Sequence, residues 1–173
     1  SAGRFGLAGA SVGDYALFGS GTNNKSMFTT VDAYNTSLTR STPTALSAGR
    51  FGLAGASVGD YALFGGGADA SSVSDVVDAY NTSLTRSTPT ALSAGRGYLA
   101  GASVGDYALF GGGIRGLVSD VVDAYNTSLT RSTPTALSAG RFDLAGASVG
   151  DYALFGGGYG DSYSDVVDAY NTS

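Results

Sequence analysis

Apolar residues along this chain come in short bursts cut by Gly, Asp, Asn, Ser and Pro, a pattern of brief strands between turns. In residues 47–92 the bursts are LAGASV (53–58), YALFG (61–65), VVDAY (76–80) and LTRST (84–88). The second follows a Gly59-Asp60 turn, and the third alternates Val76, Asp78 and Tyr80 with Val77 and Ala79. The fourth runs into Pro89, which has no N–H to give a ladder, so it is expected at the outer edge of its sheet. The first is built of small residues and is expected innermost, where several sheets crowd round one axis.

The same four bursts recur along the chain. Equivalent serines at Ser1, Ser47, Ser93 and Ser138 divide it into repeats 1–46, 47–92, 93–137 and 138–173. Helix is disfavoured, because Glu and Gln are absent and Gly supplies 28 of the 173 residues. Four-stranded antiparallel meanders repeated about an axis make a β-propeller, so the expectation is an all-β propeller domain or segment over 1–173. The last repeat stops after its third strand, which predicts a three-stranded fourth blade with 166–170 as an exposed edge.

Each repeat places an Arg before a small-residue strand, then GDYALFG, then VDAYN, an order that resembles the kelch repeat. The family's diglycine falls on Gly65-Gly66, Gly111-Gly112 and Gly156-Gly157, and its tyrosine on Tyr34, Tyr80, Tyr125 and Tyr170. Two departures are plain: the family's tryptophan is replaced by Leu38, Leu84 and Leu129, and the first repeat has Gly19-Ser20-Gly21. The resemblance implies a propeller that binds partners through loops at one face. Near-identical arrays of this kind are similar to those of bacterial and phage proteins.

The repeats differ at two places only: between the second and third strands, and just after the Arg, where the pairs are Phe5-Gly6, Phe51-Gly52, Gly97-Tyr98 and Phe142-Asp143. In an antiparallel meander both places emerge at the same end of the blade. The turns of the other end, SVGDY and AYNTS, are identical in all four repeats. Loops drift readily, which accounts for variation without function; a recognition surface on a fixed scaffold accounts for variation confined to one end. The expected ligand-binding face comprises Phe28, Phe51, Tyr98, Arg115, Tyr159 and Tyr163 with the recurring Arg4, Arg50, Arg96 and Arg141. Those four arginines either ring the axis as an anion or carboxylate site, or pair with aspartates such as Asp75, Asp120 and Asp165.

Composition narrows the chemistry. Cys, His, Trp and Glu are missing, so thiolate, imidazole and paired-glutamate sites cannot be built; no enzyme activity, cofactor or metal is expected. A net charge of −5 gives no cationic face for nucleic acid or an anionic membrane. Asp14, Asp60, Asp106 and Asp151 read as turn residues, and the four Asn-Thr-Ser tripeptides as turns rather than glycosylation sites. The expected function is non-catalytic binding of a protein or glycan, the rival being a structural module of a bacterial or phage surface. A propeller enzyme is the remote third reading. A homo-oligomer through the open edge of the fourth blade is a further expectation, and the compartment stays open, a cell or virion surface included.

Overall fold

The fourfold repetition of short strands becomes four antiparallel meanders in a computed structural model that describes residues 2–172. Blade 1 is β1 (Ala8–Val12), β2 (Tyr15–Gly19), β3 (Val31–Tyr34) and β4 (Arg40–Ser41), hydrogen-bonded in that order. Blade 2 repeats it with β5 (Ala54–Val58), β6 (Tyr61–Gly65), β7 (Val77–Asn81) and β8 (Arg86–Ser87). Blade 3 begins with β9 (Ala100–Val104) and β10 (Tyr107–Gly111), and a small hairpin follows, β11 (Ile114–Arg115) with β12 (Leu117–Val118). It finishes with β13 (Val122–Asn126) and β14 (Arg131–Ser132). Blade 4 has three strands, β15 (Ala145–Val149), β16 (Tyr152–Gly156) and β17 (Val167–Tyr170). There is no helix among the described residues, and the architecture is the all-β propeller type with an incomplete last blade.

Strand order follows the sequence expectation, with two adjustments. The fourth strand is only two residues long, because the turn before it puts Leu38, Leu84 and Leu129 at positive φ (57°, 59° and 59°) and delays pairing to the arginine. The segment after the second strand is a hairpin stem in each repeat, not an open loop, closed by bridges Thr22–Met27, Ala68–Val73 and Tyr159–Tyr163 besides β11–β12.

Hydrophobic burial lies between blades rather than within them. One cluster joins Leu17, Val31 and Ala33 of blade 1 to Ala62, Phe64 and Tyr80 of blade 2; equivalent clusters join blades 2 to 3 and 3 to 4. Glycine at the end of each second strand makes room for the next blade's phenylalanine. A Cβ on Gly19 would come within 3.2 Å of the Phe64 ring, on Gly65 within 3.0 Å of Phe110, and on Gly111 within 3.1 Å of Phe155. The innermost strands touch backbone to backbone, Gly55 on Gly9, Gly101 on Gly55 and Gly146 on Gly101. Serine hydroxyls step across the same seam, from Ser57 to the Ser11 carbonyl (2.7 Å), Ser103 to Ser57 (2.7 Å) and Ser148 to Ser103 (2.6 Å). All four innermost strands line one axial cavity of about 440 Å³.

The row of blades does not return on itself. Phe18 of blade 1 is 43% exposed where Phe64, Phe110 and Phe155 are fully buried, and every residue of β15 is exposed. The Asn turns are as expected: Asn81 Oδ1 accepts from the backbone N–H of Ser83 (3.1 Å) and Thr85 (2.9 Å), and Asn35 and Asn126 do likewise.

Candidate functional site

At the variable end of each blade, the residue after the recurring Arg pairs with the base of the hairpin. Phe5 and Thr22 exchange both backbone hydrogen bonds (2.9 Å each), as do Phe51 with Ala68, Gly97 with Ile114 and Phe142 with Tyr159. The two variable places are therefore one continuous surface in every blade.

The next position ties the blades together. Gly52 N–H donates to the Gly6 carbonyl (2.9 Å), Tyr98 to Gly52 (2.7 Å) and Asp143 to Tyr98 (2.9 Å), a row running across all four blades at the axis. Gly6, Gly52, Tyr98 and Asp143 all hold left-handed backbone, with φ of 65°, 61°, 56° and 52°. Glycine takes that region freely, whereas a residue with a Cβ loses about 1–2 kcal/mol there. The first two repeats supply glycine; the last two supply Tyr and Asp at that cost.

The outcome is a cleft of about 380 Å³ over the axis, lined by Phe5, Phe51, Tyr98 and Asp143 with the backbone of Gly6 and Gly52. The Tyr98 ring meets Phe51 edge to face, centroids 5.8 Å apart, and covers the bare Gly52. Phe5 stays half exposed and Tyr98 more than a third exposed. Asp143 is exposed and is the one charged residue in this lining. Aromatic faces beside a single carboxylate suit a sugar ring or a cationic side chain.

A second aromatic group stands on blade 4. Phe142, Tyr159 and Tyr163 form successive edge-to-face pairs at 5.7 and 5.2 Å, and Tyr163 is 90% exposed. Beside them a cavity of about 370 Å³ runs between Val118 of the blade 3 hairpin and the Asp161 to Val166 segment.

Of the two readings of the recurring arginines, pairing with aspartate holds and the ring round the axis is not formed. Arg50, Arg96 and Arg141 are at most 2% exposed, and the Arg4 side chain is nearly as buried. Each turns into its own blade onto the third-strand aspartate: Arg4 to Asp32 (2.8 Å), Arg50 to Asp78 (2.9 Å), Arg96 to Asp123 (2.8 Å) and Arg141 to Asp168. Fourth-strand arginines close the other side of these carboxylates, Arg40 on Asp32, Arg86 on Asp78 and Arg131 on Asp123. Burial pulls Arg50 below its usual pKa, and Asp78 works against that shift. The cations are thus paired inside the blades and not set round the axis. Asp75 and Asp120, the partners suggested by sequence, instead use backbone carbonyls to accept from Leu92 and Leu137 (2.8 and 2.7 Å).

Of the other expected residues, Phe51 and Tyr98 come together in the axial cleft, and Tyr159 and Tyr163 on blade 4. Arg115 lies exposed on the blade 3 hairpin and Phe28 half-buried on that of blade 1, neither of them lining the axial cleft. Phe5 and Asp143 complete the cleft although the sequence reading left them out of the binding set; their signal was that they stand in the same two variable positions as Phe51 and Tyr98. Searched against family models and curated proteins, the sequence matches none.

Proposed function

We propose that this chain is a kelch-like, non-catalytic binding module that takes a protein or glycan partner in the axial cleft and over the adjoining hairpins. The kelch likeness is supported by the glycine corner, where Gly66, the second residue of the diglycine, and Gly67 after it hold positive φ (68° and 97°). It is supported too by the third-strand tyrosine, since the Tyr80 hydroxyl donates to the Thr44 carbonyl of the preceding repeat (2.7 Å).

The observation that carries the binding reading is Tyr98. A bulky side chain holds a left-handed backbone that glycine fills in the equivalent position of the first two repeats, and the strain sets a partly exposed ring at the axis. Strain of this kind collects where a site needs it. Phe5, Phe51 and Tyr98 would stack on the ligand while Asp143 accepts from its hydroxyls or ammonium.

The test is a glycan array together with affinity capture and identification of protein partners, followed by titration of each hit against wild type and Tyr98→Gly. Saturable binding lost in Tyr98→Gly supports the reading. No saturable ligand, or equal affinity in the variant, overturns it. The rival reading, an assembly module of a bacterial or phage surface, draws on the uncovered faces of blades 1 and 4.

A further inference from the structure

We propose that a second copy of this chain docks head-to-tail on the first, through the outer face of blade 1 on one copy and the outer face of blade 4 on the other. The chain itself displays what covers these faces, because it contains the same contact three times. Phe64, Phe110 and Phe155 are each fully buried against the preceding blade; Phe18, in the equivalent place, is 43% exposed. On the opposite face Val12, Val58 and Val104 are at most 5% exposed and Val31, Val77 and Val122 fully buried, whereas Val149 and Val167 of blade 4 are 61% and 59% exposed. The two open faces are thus the two halves of an interface whose every residue type already has a buried precedent.

The glycines show the fit in finer detail. Gly19, Gly65 and Gly111 are each pressed by the next blade's phenylalanine, but a Cβ on Gly156 would meet only Val167 of its own blade, at 3.4 Å. Gly55, Gly101 and Gly146 each abut the backbone of the preceding innermost strand, while a Cβ on Gly9 would meet nothing closer than its own Phe18, at 3.6 Å. Gly9 and Gly156 are empty seats at opposite ends of the row, shaped for Gly146 and Phe18 of another copy. Exposed apolar side chains grouped on one face of a folded chain mark an interaction surface. A head-to-tail contact is heterologous and either closes into a ring or propagates. The innermost strands already bend about one axial cavity, which favours closure, and two copies of four blades are the smallest ring. This contact uses blade faces and not the β17 edge, and it does not depend on the axial cleft binding a ligand.

The experiment is sedimentation equilibrium on the 173-residue chain across micromolar concentrations, with Phe18→Asp and Gly156→Leu, folding being checked by circular dichroism. The expected result is association of wild type to twice 17.2 kDa, and its loss in both variants. In the single chain the added Cβ of Gly156→Leu meets only Val167, at an ordinary contact distance, so the variant's unfolding midpoint stays near wild type. An equimolar mixture of the two variants recovers a dimer, since each retains one intact end. A wild type that stays monomeric, association that survives both substitutions, or sensitivity to Phe18→Asp alone, as a head-to-head dimer would show, overturns the proposal.

Discussion

Removing the Asp123 carboxylate tests whether it holds the buried Arg96 guanidinium inside the blade. Asp123 has no exposed side-chain surface and accepts from Arg96 Nη1 (2.8 Å), Arg131 Nη1 (2.9 Å), Ser93 Oγ (3.0 Å) and Ser93 N (3.2 Å). Arg96 is 1% exposed, and its other acceptors are the carbonyls of Gly112 (2.8 Å) and Phe110 (3.1 Å). In Asp123→Ala those carbonyls remain and the countercharge does not, a loss worth about 3–5 kcal/mol for a buried pair. That is a large part of the roughly 5–15 kcal/mol that holds a domain folded. Arg131, with a quarter of its side chain already in water, can turn outward, so Arg131→Ala costs about 1 kcal/mol or less. Replacing both buried partners with apolar side chains, Arg96→Met with Asp123→Leu, removes charge and desolvation together and recovers most of the loss. The assay is urea unfolding at pH 7 followed by tyrosine fluorescence. Midpoints are compared only where the slope matches wild type, because a row of repeats can lose cooperativity. If Asp123→Ala costs no more than Arg131→Ala, Arg96 is not captive in the blade and an arginine ring at the axis becomes tenable again.

Three further outcomes are expected. Phe110→Ala empties a fully buried site and costs about 3–5 kcal/mol, whereas the same change at half-exposed Phe18 costs under about 1 kcal/mol in dilute, monomeric chain; equal unfolding midpoints would refute interblade packing as the main stabiliser. Burial raises the pKa of Tyr80 and Tyr125 well above the ordinary tyrosine value, and their hydroxyls donate to Thr44 and Thr90 carbonyls at 2.7 and 2.8 Å. Their contribution is therefore complete below about pH 10 and is lost as pH rises through the tyrosine range; the Tyr80→Phe, Tyr125→Phe double variant should flatten the alkaline fall in urea midpoint, and an unchanged fall would refute it. Tyr98→Gly relieves about 1–2 kcal/mol of left-handed strain, offset by lost contact with Phe51, so its melting temperature should equal or exceed that of wild type; a clear decrease would show that the ring serves packing.

Much of the blade was legible because burial within a repeat is written as short apolar bursts, and the Gly-Asp turn and the proline fix where they begin and end. The second strand, Tyr61–Gly65, falls where its sequence pattern puts it, and the third is shifted by one residue to Val77–Asn81. Relations between blades were less legible, since neither the fit of Phe64 on Gly19 nor the serine seam has any local signature. The partner aspartates of the arginines were misassigned for the same reason. Position before an inner strand puts Arg50 near the mouth of the axis, and only the sheet register, with Asp78 opposite Phe64, shows that an aspartate waits beneath it. The cleft was half legible: variation marked Phe51 and Tyr98, but the left-handed backbone that singles out Tyr98 and Asp143 follows from the row of hydrogen bonds across blades.

Constancy at the opposite end of the blades has a packing cause, and this changes what loop variation can be made to say. A Cβ on Gly13 would meet Thr82 of the next blade at 3.3 Å, on Gly59 it would meet Thr127 at 3.0 Å, and on Gly105 Thr172 at 2.9 Å. The SVGDY and AYNTS turns are thus pressed together at each interface, and a change in one repeat would have to be matched in its neighbour. The blade 3 hairpin tip at the variable end carries no such constraint: Gly116 has open space around it and Leu117 is 84% exposed. Drift alone therefore explains why tips vary while the far turns do not. It does not explain Tyr98 or Asp143, which lie in the row of backbone contacts between blades, where glycine is accepted without strain by the first two repeats. Tyr98 and Asp143 are accordingly the side chains that mark a binding face, carried at a conformational cost into a cleft to which all four blades contribute.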